Sequence, residues 1–263
     1  GISAIDYANN LYTIIVGVVV LSVANVIFPR LSRMTANDEN GSVFDTVIMT
    51  VRILSYLIIP MTAGVMALSE PVISIVYQRG AFTAFDVSIT SRALFFFSLG
   101  MFGYGMQTII SRAFYAEQNG RIPFIAGIVS IIVNVVLCGL LVDRMEVAGL
   151  ALASAISSTV YGLALYVPLR KRFKDRDTNH FAGSIIKMIF CAAVMTAVIV
   201  PMRNALWDAG SGLMIKIAVI AVLVIVGMAV YIIMSRIIRL YEAQAAFDFV
   251  KNILGRKRNG TEE

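Results

Sequence analysis

Hydrophobic residues run along this chain in long stretches that short polar segments separate. A helix needs about 20 apolar residues to cross about 30 Å of hydrocarbon, so each long stretch predicts a membrane-spanning helix. Seven stretches qualify, at 7–29, 53–69, 87–111, 122–142, 147–169, 188–202 with an extension back to 183, and 217–235. None alternates apolar and polar residues with the period of a strand. The pattern therefore predicts an all-α, polytopic membrane protein with about seven transmembrane helices.

The polar segments between these stretches divide the chain into four parts. Residues 1–169 hold the first five predicted helices as one transmembrane bundle, and residues 170–182 form a basic loop. Residues 183–235 hold two further transmembrane helices. Residues 236–263 are expected to form an amphipathic helix, which lies on the membrane surface, and a tail.

Composition narrows the class of partner. The 263 residues are 59% hydrophobic and 14% charged, whereas a soluble domain carries about 25% charged residues. The net charge is +6, but the basic residues cluster beside apolar stretches, which favours membrane lipids over nucleic acid as the partner. Cys138 and Cys191 lie inside apolar stretches and His180 is the only histidine, so we expect no metal and no cofactor.

The distribution of Lys and Arg predicts an orientation. Alternate connections, beginning with 30–52 and including the tail after Ser235, hold 17 basic residues, and the connections on the other side hold 5. The side rich in Lys and Arg is cytoplasmic by the positive-inside rule. The N-terminus of this sequence is then outside and the C-terminus is cytoplasmic. Because the chain opens on Gly1 without an initiator Met or a signal sequence, we expect it to be a piece that preceding spans complete.

Polar residues inside or beside apolar stretches are candidates for function, because such groups are costly in hydrocarbon. Asn9, Asn10 and Thr13 open the first stretch, either as a patch facing an aqueous cavity or as partners for the helix start. The guanidinium groups of arginines at stretch ends suit phosphate, or they serve as interfacial anchors. These candidates are Arg52, Arg92 and Arg112.

Two interior features predict close helix contacts. Asn134 lies near the middle of the fourth stretch, so its amide needs a partner across a helix interface or in a cavity. Pro60 lies inside the second stretch and leaves a backbone carbonyl without its N–H donor. Either a neighbouring helix or Thr62 is expected to satisfy that carbonyl.

Catalytic constellations are missing from the sequence. It contains no Ser–His–Asp set, no paired carboxylates within a span and no glycine-rich phosphate loop. The connections are also too short to hold a soluble catalytic domain. We therefore expect a transporter-like or channel-like bundle and not an enzyme.

Several motifs between the apolar stretches resemble a known family. They are Asp6–Leu11 with Val26–Ser32, Gln78–Asp86 with Ser91–Leu94, and Arg112–Ala116 with Arg121–Pro123. In sequence and order they resemble the MurJ/MviN lipid II flippases, within the superfamily of multidrug, oligosaccharidyl-lipid and polysaccharide exporters. The resemblance covers essentially the whole chain, but only the C-terminal half of the family's fourteen-helix architecture. It implies that the first five spans form the C-terminal lobe without its first helix, and that the last two are extra C-terminal helices, with the N-terminal half of the same protein as a partner.

The resemblance also implies a function. Members of the family carry lipid II, the undecaprenyl-pyrophosphate-linked peptidoglycan precursor, from the inner to the outer leaflet of the bacterial plasma membrane by alternating access. The cavity-facing candidates are then Asn9, Asn10 and Thr13, although many members carry an arginine where this sequence has Asn10. Asn134 and Ser154, on adjacent spans, become candidates for a site that binds a coupling cation.

Two alternatives compete with this interpretation. One is a flippase for another polyprenyl-linked oligosaccharide, or a drug exporter of the same superfamily. The other is a membrane scaffold that transports nothing. The Gln78–Asp86 connection and the extra C-terminal pair favour the lipid II flippase, because drug exporters typically have twelve spans.

Overall fold

The computed structural model describes residues 2–37, 40–172, 179–208, 210–240 and 242, and these residues form helices and turns without a strand. The helices are α1 (Ile2–Ala36), α2 (Asn40–Tyr77), α3 (Ala84–Leu99), α4 (Met101–Ala116), α5 (Arg121–Arg172), α6 (Asn179–Leu206) and α7 (Leu213–Ile237). The all-α prediction is confirmed. The basic segment 173–178 and nearly all of the predicted amphipathic helix and tail lie outside the described residues.

The chain at 87–111 forms two helices where the hydrophobic pattern indicated one. α3 and α4 meet at a bend of 43°, and Gly100 lies between them. A Cβ atom added at Gly100 would lie 2.8 Å from the Cα of Ala155 in α5, which is too close for any other residue. Glycine at this break therefore lets the bent pair lie against the backbone of α5.

The long helix α5 reverses direction at Glu146, where φ is 49° and ψ is −124°. Its first arm (residues 121–145) and second arm (residues 147–172) run antiparallel. Two hydrogen bonds between the arms show this: Tyr161 donates to the carbonyl of Pro123, and Ser130 donates to the carbonyl of Ser157. At about 1.5 Å per residue the undivided helix would be far longer than a bilayer is thick. Its two arms match the separate stretches 122–142 and 147–169. Within the described residues, five helices are long and apolar enough to cross a membrane, or six with the bent α3–α4 pair as one span. Counting the two arms of α5 separately gives seven candidate spans.

The helices bury two apolar clusters that share α2. The first core joins α1 to α5 and includes Phe44, Leu54, Leu94, Ile109 and Phe114. The second core lies where α6 and α7 pack on α2, and it includes Tyr56, Leu68, Met188, Met195 and Leu223. α2 thus contacts the five-span bundle on one side and the α6–α7 pair on the other.

The carbonyl that Pro60 frees is satisfied by a neighbouring helix. Proline has no N–H, so the carbonyl of Tyr56, four residues earlier, loses its donor inside α2. The hydroxyl of Tyr231 in α7 donates to that carbonyl at 3.1 Å. The alternative, Thr62, is wrong, because its buried hydroxyl makes no hydrogen bond within the described residues.

Candidate functional site

One side of α1 carries exposed polar side chains in its first four turns. Asn9, Asn10 and Thr13 are exposed, while Ala8 and Tyr12 on the opposite side are buried. The Tyr12 ring packs against aromatic rings of α3 and α4. The spacing explains this division, because residues four apart share a helix face and their neighbours point away from it. We call Asp6, Asn9, Asn10 and Thr13 the polar face; Asp6 is exposed as well.

An aromatic cluster marks the end of the bundle at which the polar face begins. The ring centroids of Tyr7 and Tyr77 lie 4.8 Å apart, and that of Phe82 lies 5.7 Å from Tyr7. The hydroxyl of Tyr77 also donates to the backbone carbonyl of Tyr7. Aromatic side chains concentrate where a bilayer meets water. The cluster therefore predicts that a membrane surface lies at this end of the bundle, where the polar face begins.

The polar face cannot be covered by hydrocarbon alone at low cost. Within the described residues, the side chains of Asn9, Asn10 and Thr13 form no hydrogen bond. An amide or hydroxyl without a partner costs several kcal/mol, about 4–8 on transfer to a purely apolar medium. A water-filled cavity or another part of the protein on this side of α1 removes that cost.

Arg92 lies near the depth of the polar face. Tyr12 of α1 stacks on Phe97 of α3 with ring centroids 5.6 Å apart, and both helices run away from the aromatic cluster. Arg92 precedes Phe97 in α3, and Asn9 precedes Tyr12 in α1. At about 1.5 Å per residue, Arg92 and Asn9 therefore lie within about one helical turn of the same depth. The Arg92 side chain is exposed, so it adds an accessible guanidinium at this level.

Arg112 lies towards the opposite end of the bundle. Its guanidinium carbon is 5.6 Å from the centroid of the Phe28 ring, which is the geometry of a cation–π contact. The side chain remains half-buried, and Arg30 and Arg33 at the end of α1 are exposed. Arg112 therefore does not join Arg92 at one site.

Arg52 belongs to the second core. Its Nε atom lies 3.5 Å from Oε1 of Glu242, whose side chain is only 3% exposed, and these two atoms form no hydrogen bond within the described residues. The contact is an ion pair that ties the chain after α7 to α2, about three turns after the start of that helix. Arg52 therefore pairs with an acidic side chain, whereas Arg92 is exposed and Arg112 contacts Phe28.

Asn134 and Ser154 lie in the α5 hairpin and are joined through Ser157. The Asn134 amide donates to the Ser157 hydroxyl at 3.2 Å, and that hydroxyl donates to the Ser154 carbonyl at 3.0 Å. The amide therefore has the partner across a helix interface that its position required. Within the described residues, no three His, Cys, Asp or Glu side chains lie close enough to hold a metal ion.

The structure adds Asn25 to the polar groups exposed on α1. It lies 15 residues beyond Asn10, which corresponds to about 60° around the helix axis and about 22 Å along it. The hydrophobic pattern of 7–29 did not single out this residue, since one amide among apolar neighbours barely changes the hydropathy of the stretch. Helical projection of the polar residues in that stretch would have found it.

Comparison with known proteins places this architecture in a family. A model of the family described as "Lipid II flippase MurJ" matches residues 1–220. A probable lipid II flippase MurJ from Rhizobium tropici is 28% identical over 241 residues, covering 90% of this chain and 45% of the relative. Lipid II flippase MurJ from Thermosipho africanus is 30% identical over 186 residues, covering 71% and 38%.

A solved structure agrees with the sequence matches. Lipid II flippase MurJ in an inward closed conformation superimposes with a TM-score of 0.72 and 27% identity, over 90% of this chain and 47% of that one. The chain spans about half the length of the relatives that it matches. With its apolar helices and these matches it is a multi-pass membrane protein, and it belongs to the lipid II flippase MurJ family.

Proposed function

We propose that this chain works as part of a lipid II flippase, which carries lipid II from the inner to the outer leaflet by alternating access. The observation that carries the proposal is the family match over residues 1–220, supported by a fold likeness over 90% of the chain. Transport of this kind makes and breaks no covalent bond, so the protein is not an enzyme. Its place is the bacterial plasma membrane, with lipid II and membrane lipids as ligands.

The polar face of α1 would contact the polar headgroup of the substrate. The amides of Asn9 and Asn10 and the hydroxyl of Thr13 are exposed and can donate hydrogen bonds to phosphate or sugar oxygens. Arg92, near the same depth, would supply positive charge that the asparagines lack. Hydrogen bonding to this face would replace the headgroup's hydration and lower the cost of moving it through the membrane.

The first arm of α5 would face lipid. Its exposed side chains are large and apolar, and they include Phe124 at 69%, Ile131 at 64%, Val135 at 65% and Leu140 at 65% exposure. Hydrocarbon covers such a surface without cost. A polyprenyl tail has the same chemistry as the hydrocarbon of the bilayer, so the tail would remain there while the headgroup moves.

We infer that the polar face lines a cavity whose opposite side is formed by the N-terminal half of the same protein. This chain spans about half the length of its relatives, and the polar face is open on the side away from α3 and α4. Residues 1–169 would form one lobe, to which residues 183–235 add the two extra helices. Rocking of this lobe against the other would alternate access to the cavity.

A coupling cation at Asn134 and Ser154 stays a prediction. The two residues meet through Ser157, and within the described residues Oδ1 of Asn134 accepts only from the weak donor Sγ of Cys138, at 3.8 Å. That oxygen and the Ser154 carbonyl are the atoms that a cation would need. A change of thermal stability with Na⁺ that Asn134→Leu abolishes would support the site.

Complementation tests the proposed function. The complete gene that encodes this chain is expressed in cells depleted of their own lipid II flippase, and growth is measured. We expect growth with the unaltered gene and impaired growth with Asn10→Ala. Asn119→Ala, the same substitution in the α4–α5 connection, is the matched control and should grow normally. Normal membrane insertion of the unaltered protein without growth would contradict the proposal.

Cysteine labelling in intact cells tests the orientation. In a background with Cys138→Ala and Cys191→Ala, we expect Ala84→Cys at the start of α3 to react with an impermeant reagent from outside. Ala36→Cys at the end of α1 should react only after the membrane is opened. Both positions are exposed in the structure. The reverse result would overturn the orientation.

A further inference from the structure

Helix α2 contains two prolines, and each leaves one backbone carbonyl without its donor. Pro60 and Pro71 lie inside the helix, which continues through both. The missing N–H groups would have bonded the carbonyls four residues earlier, those of Tyr56 and Ala67. In a membrane such carbonyls need another partner, because water is absent from the hydrocarbon.

The first freed carbonyl is bound by α7. The hydroxyl of Tyr231 donates to the carbonyl oxygen of Tyr56 at 3.1 Å, and both side chains are buried. The phenol of Tyr56 is 2.9 Å from the hydroxyl of Ser235, one turn further along α7. The aromatic rings of Tyr56 and Tyr231 also pack together, with centroids 5.2 Å apart.

The second freed carbonyl is bound by α6. Nη1 of Arg203 donates to the carbonyl oxygen of Ala67 at 2.9 Å. The Nε and Nη2 atoms of the same guanidinium donate to Oδ1 of Asn204, at 3.2 and 2.9 Å. The side chain is therefore fixed by a neighbour while it reaches α2. A hydrogen bond from a charged donor is stronger than one from a neutral donor.

The two freed carbonyls lie on one face of α2. They are 11 residues apart, which is about three turns, so they differ by only about 20° around the axis and about 16 Å along it. The prolines have the same spacing. One helix of the α6–α7 pair binds each carbonyl, and the pair therefore meets α2 along a single line.

We propose that the α6–α7 pair docks on α2 through the two carbonyls that Pro60 and Pro71 free, with Tyr231 and Arg203 as positioning residues. Apolar packing in the second core has little preference for one alignment, since lipid tails are as apolar as the side chains that they replace. The two hydrogen bonds fix the alignment. The pair consequently moves with α2 when the lobe moves, and this last consequence rests on the proposed function.

A double-mutant cycle on the purified full-length protein tests the docking. Tyr231→Phe removes only the hydroxyl, and we expect the midpoint of thermal unfolding to fall by about 2–4 °C. Pro60→Ala restores an N–H that bonds the Tyr56 carbonyl, so Tyr231→Phe should then lower the midpoint by less than half as much. An equal loss in both backgrounds would overturn the role of the freed carbonyl.

A matched control separates this effect from the loss of any interhelical hydroxyl. Tyr161→Phe removes a hydroxyl that donates to the carbonyl of Pro123 at 3.2 Å, but residue 127 is a glycine with its own N–H. We expect the Tyr161→Phe effect to be the same in the unaltered protein and in the Pro60→Ala background. If Pro60→Ala reduced the effect of Tyr161→Phe on the unfolding midpoint as much as it reduces that of Tyr231→Phe, the result would also contradict the proposal.

The second site provides a separate measurement if Pro60→Ala does not fold. Arg203→Met should lower the unfolding midpoint, and Pro71→Ala should make that substitution less damaging. Equal losses from Arg203→Met with and without Pro71→Ala would overturn docking at this site. Both cycles measure stability, so a failed cycle refutes the docking, while failed complementation with intact cycles refutes only the transport function.

Discussion

The two cores differ in what holds their helices together. In the first core, α4 approaches α5 until backbones meet: a Cβ atom added at Gly103 would lie 2.6 Å from the Cα of Thr159. In the second core, long side chains from α6 and α7 reach backbone carbonyls of α2. One interface depends on the absence of side-chain atoms and the other on the presence of a few polar ones.

This difference separates an all-or-none contact from a graded one. A backbone contact has no flexible atom that can move aside, so adding volume displaces a whole helix. A docking contact made of separate hydrogen bonds weakens one bond at a time. We therefore expect substitutions in the first core to unfold the bundle, and those in the second core to loosen the α6–α7 pair while the bundle survives.

The largest effect is expected from Gly103→Val. The added side chain collides with the backbone of Thr159 and Ser158 and should cost about 3 kcal/mol or more, enough to prevent accumulation of folded protein. Membrane yield and thermal stability measure it. Gly139→Val is the control, since a Cβ atom there has no neighbour within 4 Å. Equal yields for both variants would show that α4 and α5 tolerate separation.

A smaller effect is expected from Glu242→Gln in the second core. The substitution leaves the Arg52 guanidinium half-buried without its counter-charge, and we expect a loss of about 2 kcal/mol, below that of a fully buried pair because Arg52 is 23% exposed. Arg52→Met combined with Glu242→Gln should recover part of the loss. A double variant that loses the sum of both single effects would show that the two charges do not interact.

The hydrogen bond between the two arms of α5 should contribute less to stability than the Arg52–Glu242 ion pair. Asn134→Leu removes the amide that donates to Ser157, and interhelical hydrogen bonds in membranes contribute about 1 kcal/mol. Unfolding of the purified protein measures the loss. Val136→Leu, on the exposed side of the same arm, is the control and should be neutral. A neutral Asn134→Leu would show that this bond does not hold the hairpin together.

The smallest effects are expected at two helix ends, one beside each core. Gln118 and Arg239 have φ of 56° and 53°, and each follows a helix in a position that favours glycine. Gln118→Gly and Arg239→Gly should each stabilise the protein by about 0.5–1 kcal/mol. Gln78→Gly, at a position that is not among those with positive φ, should not. Destabilisation by the first two variants would mean that their side chains make unrecognised contacts.

The sequence predicted the spans because a bilayer requires long apolar helices, and that requirement is visible residue by residue. It did not predict the break at Gly100, since a glycine inside an apolar stretch looks the same whether the helix bends or continues. It also assigned Asn134 and Ser154 to adjacent spans, and the structure shows Ser157 between them. Spacing within one helix is readable from sequence, whereas the residue opposite on another helix is not.

The candidate arginines show the same limit. Arg52, Arg92 and Arg112 each flank a predicted span, but their surroundings in the folded chain differ. Arg52 forms an ion pair with Glu242, Arg92 is exposed on α3, and Arg112 contacts the Phe28 ring. The polar face of α1 was predictable because its residues follow one another on a single helix. Whether it contacts the headgroup remains a prediction.

The most direct test of the proposed function is the amount of lipid II that becomes accessible at the outer face of the membrane. Cells depleted of their own flippase would express the complete gene, unaltered or with Asn10→Ala or Asn119→Ala. We expect accessible lipid II to rise with the unaltered and Asn119→Ala proteins and to stay low with Asn10→Ala. No rise with the unaltered protein, correctly inserted in the membrane, would contradict a lipid II flippase.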